Sequence, residues 1–375
     1  MEENKLSVTP ADRERTIVRT SVTGIIVNVA LSAAKAAVGF ISGSIAVVLD
    51  AVNNLTDALS SVITIIGAKL AGRRPDKKHP LGHGRIEYVS SMIISALVLY
   101  AGVTSLIESI KKIITPAEAD YSPVSLAIIA AAVIAKLLLG TYVKKQGKRV
   151  NSGALTASGS DALFDAILSA SVLVSAIVFL TTGLSLEAYV GVIISLFIIR
   201  SGIEMLRESI DEILGRRMDP EITSRIREAV ESDPSVMGAY DLILNSYGPE
   251  RVIGSVHVEV PDTMTAEEID AMERRIAGRV YEEHGVLLTG IGIYSVGTGE
   301  GVSAMRAEAT RIIMKHEGVL QIHGFRVDEA EKRMNVDVIL DYDMKHRDEV
   351  FGDICRELDE AFPEYKVSPI MDIDI

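Results

Sequence analysis

Up to about residue 210, long apolar runs alternate with short charged loops; beyond residue 215 the apolar positions thin out and recur at mixed periods. Six apolar segments are long enough to cross a bilayer as helices, which takes roughly 20 residues. They lie near 16–40, 44–71, 86–111, 122–143, 155–182 and 186–208. Stretches such as "LAIIAAAVIAKLLLG" are apolar on all faces, which suits lipid better than water. Residues 1–214 are therefore expected to form a six-helix transmembrane domain.

The rest of the chain contains an internal repeat. "SVMGAYDLILNSYGPERVIGSVHVEV" and "GVLQIHGFRVDEAEKRMNVDVILDY" each read as two alternating strands around a turn. A helical pattern precedes each pair ("DPEITSRIREAVESD"; "SAMRAEATRIIMKHE") and another follows ("TAEEIDAMERRIAGRVYEEHG"; "HRDEVFGDICRELDEAFPEY"). Each unit closes on a strand, "VLLTGIGIY" or "VSPIMDIDI", and "SVGTGEGVS" links the two. The expected fold is thus a membrane α-helical domain with an α+β cytoplasmic tail of two tandem α-β-β-α-β modules, residues 215–298 and 299–375.

Composition supports the membrane assignment: mean hydropathy is +0.28 although 24% of residues are charged. Charge distribution then orients the helices. Arg13, Arg15 and Arg19 precede the first; Arg73, Arg74, Lys77, Lys78 and Arg85 fill the second loop; Lys144, Lys145, Lys148 and Arg149 fill the fourth; Arg216 and Arg217 follow the sixth. The opposite loops, "ISGS", "TPAEADYSP" and "TTGLSLEA", hold no base. Positive loops stay inside, so both termini are expected in the cytoplasm, with the plasma (inner) membrane as the expected address. "MEENKLSVTPADRERT" has no apolar core for a signal peptide, and the single Cys355 allows no intrachain disulfide. The net charge of −13 and the absence of an enzymatic motif in the tail point away from a nucleic-acid partner and from catalysis. No cofactor is expected.

The apolar second segment nevertheless carries Asp50, Asn53, Asn54 and Asp57 in "LDAVNNLTDALSS". Asn53 and Asp57 are four apart and share a helix face, with Asp50 one turn earlier. The fifth segment repeats the spacing with Asp161 and Asp165 in "SDALFDAILS". Carboxylates in hydrocarbon cost several kcal/mol each and mark ion paths. The competing structural reading is interhelical hydrogen bonding, or pairing with Lys35 or Lys136, both placed towards helix ends from which they would snorkel. Three carboxylates and a carboxamide between two helices would form an all-oxygen cage. All seven histidines fall outside the six spans, so the chemistry favours a harder ion such as manganese, magnesium or calcium over zinc.

"DAVNNLTDALSS", "RRPDKKHPLGHGRIEY" and "SDALFDAILS", in this order, resemble the cation diffusion facilitator family of divalent-metal/proton antiporters, over about residues 12–297. The resemblance implies a homodimer in the lipid bilayer exchanging metal ions for protons, with the transport site on Asn53, Asp57, Asp161 and Asp165. Zinc-type members carry histidine in at least one of these places, and this set is similar to the manganese-exporting branch. Mn²⁺ is the expected cargo; the alternatives are a Zn²⁺, Fe²⁺ or Mg²⁺ exporter, or a non-transporting metal-sensing membrane protein. The first tail module resembles the family's dimerisation domain, and the second is an extra copy.

Further ligand-type residues remain. Asp76, His79 and His83 would gather around one metal across the turn at Pro80 and Gly82, as in several family members, or simply pack against helix ends. Arg85 and Glu87 suit an ion-pair latch as well as a contact with cargo. Where zinc-type members place histidines in the tail, the first module offers Tyr240, His257 and Asp270. The second has His323 with Asp337, and Asp372 and Asp374 on its last strand; alternating residues facing water explain these equally well.

Overall fold

The computed structural model describes residues 9–42, 45–115, 123–182 and 186–372, with only the helical backbone described at Asp50 and Asn53. The chain divides into two compact units. The first holds six long helices: α1 (Pro10–Ser42), α2 (Ile45–Ala71), α3 (Ile86–Ile114), α4 (Pro123–Arg149), α5 (Gly153–Thr182) and α6 (Glu187–Leu214). Among the described residues, five helical stretches are long and apolar enough to cross a membrane: Ala11–Ala37, Ile86–Ile114, Leu126–Arg149, Gly153–Ser175 and Ala188–Leu214. α2 is not among them; it is the helix that carries Asp50, Asn53, Asn54 and Asp57.

Large apolar side chains stand exposed along these helices, including Ile26, Leu59, Tyr100, Ile134, Leu138 and Phe197. In water such a surface would drive aggregation; against lipid tails it costs nothing. The helices pack chiefly as pairs, α1 with α2, α3 with α6 and α4 with α5. Without a hydrophobic driving force between helices in lipid, close backbone approach matters, and small residues permit it. A Cβ on Gly159 of α5 would fall 2.5 Å from the backbone nitrogen of Lys144, and one on Gly140 of α4 3.0 Å from the Gly159 carbonyl oxygen.

The second unit contains α7 (Pro220–Glu231), β1 (Gly238–Ser246), β2 (Val252–Pro261), α8 (Ala266–His284) and β3 (Val286–Val296). It continues with α9 (Glu300–Met314), β4 (Val319–Asp328), β5 (Arg333–Leu340), α10 (Arg347–Ala361) and β6 (Lys366–Asp372). Each half makes a three-stranded sheet, β1-β2-β3 and β4-β5-β6. In each, the first two strands are antiparallel and the third runs parallel to the second. Local chemistry fixes the helix ends. Asp219 caps α7 ahead of Pro220, Thr265 and Glu268 form a capping box on α8, and Gly285 ends α8 at φ 67°.

Two separate cores result. Ile226, Val230, Val258, Met272, Ile276 and Val280 anchor the first. Ile313, Phe325, Met334, Val336, Ile354 and Leu358 anchor the second. Both sheets bulge at equivalent places, between Tyr240 and Ile243 in β1 and between His323 and Arg326 in β4. The bulge residues Asp241 and Gly324 have φ of 50° and 62°.

Candidate metal site

On α4, Val133, Lys136, Leu139 and Val143 are buried whereas Ile134 and Leu138 are exposed, so Lys136 belongs to the inward stripe. An ammonium there needs anions. The Lys136 Nζ lies 2.7 Å from Asp57 Oδ2 of α2 and in direct contact with Asp165 Oδ2 of α5. Two of the predicted carboxylates, from separate helices, are thereby brought onto one cation. Asp161 precedes Asp165 by one turn of α5 and interacts electrostatically with both Asp57 and Asp165. The Asn53 side chain, like that of Asp50, lies outside the described residues.

This corrects the expectation for Lys136. Lys136 lies on the inward stripe of α4, and its ammonium turns onto Asp57 and Asp165 instead of snorkelling to the membrane surface. The lysine pairing weighed against a metal cage is present: among the described residues the Lys136 ammonium contacts two carboxylates, with Asp161 near both of them. Nearby, Asn54 is fully buried, and its amide finds no partner among the described residues.

Asp76, His79 and His83 converge in the α2–α3 loop. Asp76 Oδ1 accepts the backbone N–H groups of Lys78 and His79 at 2.9 and 2.8 Å, an Asx-type turn. His79 Nδ1 stands 3.3 Å from Asp76 Oδ1, and His83 Nε2 3.4 Å from Oδ2. The His79 backbone N–H holds the Asp76 carboxyl below its ordinary pKa. One ligand atom from each residue lies within 4.8 Å of the others.

Glu87 does form an ion pair, but with Arg13 of α1. The guanidinium donates to both carboxylate oxygens at 2.8 and 2.7 Å, and its Nε donates to the Val150 carbonyl at 2.7 Å. That buried fork ties the starts of α1 and α3 to the end of α4. It leaves no free carboxylate for cargo.

In the tail, Asp270 is apart from the other candidates: it is exposed on α8 and pairs with Arg274. Tyr240 and His257 face each other across the β1–β2 ladder, as His323 and Asp337 do across β4–β5. Asp374 lies outside the described residues. His323 is fully buried, with Nε2 3.1 Å from Asp372 Oδ2, 3.1 Å from Asp241 Oδ1 and 3.9 Å from Asp337 Oδ2. Burial alone would lower the imidazole pKa; the contacts with Asp241, Asp337 and Asp372 outweigh it and hold it above the ordinary value. Asp241 was missed in the sequence. Its only signal is its register in the repeat, where Asp241 aligns with the bulge glycine Gly324.

Comparisons with known proteins agree with this architecture. The family described as "Cation efflux transmembrane domain" matches residues 21–214, and "Cation efflux protein, cytoplasmic domain" matches residues 218–289. The chain is similar to an uncharacterized transporter of Methanocaldococcus jannaschii, 26% identical over 71% of this chain and 94% of that protein. It is also similar to the manganese efflux system protein MneP of Bacillus subtilis, 28% identical over 59% of this chain and 76% of that protein. MneS of the same organism is 26% identical over 70% of this chain and 92% of that protein. With the transmembrane match alone spanning more than half of its length, this integral membrane protein belongs to the cation diffusion facilitator family of divalent metal cation efflux transporters.

Proposed function

We propose that the chain is a homodimeric exporter of Mn²⁺ that returns protons to the cytoplasm, with α2 as its sixth span and both termini inside the plasma (inner) membrane. The observation that carries this reading is a cation already held by Asp57 and Asp165, the Lys136 ammonium, where α2, α4 and α5 meet. Among the described residues the carboxylates of Asp57, Asp161 and Asp165 outnumber the Lys136 ammonium beside them, and their deprotonation would leave the site negative enough to take a dication. Asp57, Asp161, Asp165 and the carboxamide of Asn53 would ligate the ion through oxygen alone. Oxygen donors suit Mn²⁺ better than Zn²⁺. The names of the two manganese efflux relatives support the same cargo.

Clustered carboxylates take up protons when the site is empty and release them when a dication arrives, which couples the two fluxes. Lys136 supplies the resident countercharge, holding the empty site together and yielding to the incoming ion. Alternating access then carries the site between the two faces. The test is competitive flux of Mn²⁺, Zn²⁺, Fe²⁺ and Mg²⁺ into proteoliposomes under an imposed pH gradient. Mn²⁺ is expected to be preferred and to depend on the gradient. Preference for another metal replaces the cargo, and no flux of any metal favours a sensor.

A further inference from the structure

The two tail modules meet at a mixed nitrogen and oxygen cluster. Asp241 comes from the β1 bulge of the first module; His323 and Asp372 come from β4 and β6 of the second. One ligand atom from each lies within 4.8 Å of the others. Metal-bound donors about 2.1 Å from a first-row dication stand roughly 3.0–3.4 Å apart. The two 3.1 Å separations from His323 Nε2 match that spacing.

A single Nε2–H cannot serve both carboxylates. It is aligned on Asp372 Oδ2, whereas Asp241 Oδ1 is buried without a hydrogen-bond partner among the described residues. The Asp241 side chain is only 9% exposed, so water does not readily satisfy that oxygen. Its other oxygen is already engaged: Oδ2 accepts the Tyr294 hydroxyl at 2.8 Å and lies 3.0 Å from His257 Nδ1. Such outer partners aim a carboxylate's free oxygen at an ion. Tyr240 stacks on the His323 ring at 5.2 Å and fixes its plane.

The backbone contributes as well. Asp241 adopts the left-handed φ of 50°, which costs a non-glycine residue energy and turns its side chain across the junction. The equivalent bulge position in the second module is Gly324, where a Cβ would fall 2.4 Å from Asp337 Oδ2. Asp337 thus lies against the cluster as a further oxygen donor, its Oδ2 3.9 Å from His323 Nε2.

We propose that this junction is a second, cytoplasmic metal site for a divalent first-row transition metal ion, ligated by Asp241, His323 and Asp372, which fastens the second module onto the first. One imidazole with two or three carboxylates suits Mn²⁺, Fe²⁺ or Zn²⁺. The Arg306 guanidinium of α9 makes a metal-independent contact across the same junction, donating to both oxygens of the buried Glu259 at 2.9 and 2.7 Å. The modules therefore stay adjacent without metal, and the ion sets how firmly.

The test uses the full-length chain in detergent, with the other two candidate sites disabled by Asp57→Ala, Asp161→Ala and His83→Ala. After chelation and dialysis, bound metal per chain is counted by mass spectrometry during titration with Mn²⁺ and, separately, Zn²⁺. One ion per chain is expected for at least one of these metals. Adding Asp241→Asn or the milder, partly exposed Asp372→Asn should weaken that binding at least tenfold. Tyr294→Phe, which removes only the hydroxyl that aims Asp241, should weaken it about 10- to 100-fold. Metal should also slow proteolysis of the 297–299 linker in the parent and not in Asp372→Asn. No bound metal in the triple variant, or binding unchanged by both Asp241→Asn and Asp372→Asn in chains that elute as folded protein, would overturn the site. Because the transport cage is disabled throughout, neither outcome depends on the identity of the cargo.

Discussion

Lys136 offsets part of the negative charge of the carboxylates around it, and its chemistry makes the proposed transport site testable residue by residue. Asp57→Ala or Asp161→Ala removes one of three carboxylates from a site lacking histidine; metal flux in proteoliposomes should fall to background while the protein still elutes as a folded species. Flux at the parent level in either variant would remove that carboxylate from the site. Lys136→Met keeps the length and the apolar stem but deletes the countercharge. The metal-free protein should then lose thermal stability, because Asp57 and Asp165 are left facing each other, and saturating Mn²⁺ should restore most of it. Equal stability with and without metal would show that Lys136 does not share the site. Asn53→His would exchange a neutral oxygen for a nitrogen, so the ratio of zinc to manganese flux should rise, and the proton dependence should shift with a group that titrates near neutrality. An unchanged ratio would take Asn53 out of the selectivity argument.

At the level of elements, helix pairs and caps decide whether those residues meet. Gly159 of α5 packs directly against Lys144 of α4, and a Cβ there would collide with backbone rather than with a flexible side chain. Gly159→Val should push α5 off α4 and separate Asp165 from Lys136; loss of transport with loss of thermal stability is the expected result, and a fully active variant would refute the close packing. In the tail, the buried Asp233 after α7 accepts from Arg275 of α8 at 2.9 and 3.1 Å and from the Ser235 backbone N–H at 3.1 Å. The Arg275 guanidinium holds the Asp233 carboxyl below its ordinary pKa. A lowered carboxylate pKa stabilises the fold above the ordinary value of about 3.9 and loses that contribution as pH falls through the folded-state value. Asp233→Asn should therefore cost the tail about 2 kcal/mol at neutral pH and much less in acid. A penalty that does not depend on pH would mean that packing, not charge, is what Asp233 supplies.

At the scale of the whole molecule, the second half of the tail can be removed as a unit. Truncation after residue 298 removes Arg306, His323 and Asp372 together and uncovers Glu259 and Tyr240 of the first module. If the first module carries the dimer contact, the truncated chain should remain a dimer by light scattering in detergent. A shift to monomer would assign dimerisation to the second module. The apolar surface of the six helices sets the condition for all such measurements, since exposed residues such as Leu138 and Phe197 need detergent or lipid around them.

Much of this protein was legible in its sequence because the signals are local. Apolar run length marks the membrane helices, the i, i+4 spacing stacks Asp161 on Asp165, and alternation within a repeat marks the paired strands. Tertiary structure decided which distant groups meet, and there the one-dimensional pattern is silent. Lys136 reads as a snorkelling residue in the sequence, and only the packing of α4 against α2 and α5 turns its ammonium onto Asp57 and Asp165. Glu87 found Arg13 because three helix ends converge, although Arg85 is its neighbour in sequence. Asp241 reads as an ordinary strand residue; only the bulge, its positive φ and the packing of one module on the other bring it to His323. Spacing determines the face of an element, whereas the partner across that face follows from how the elements pack.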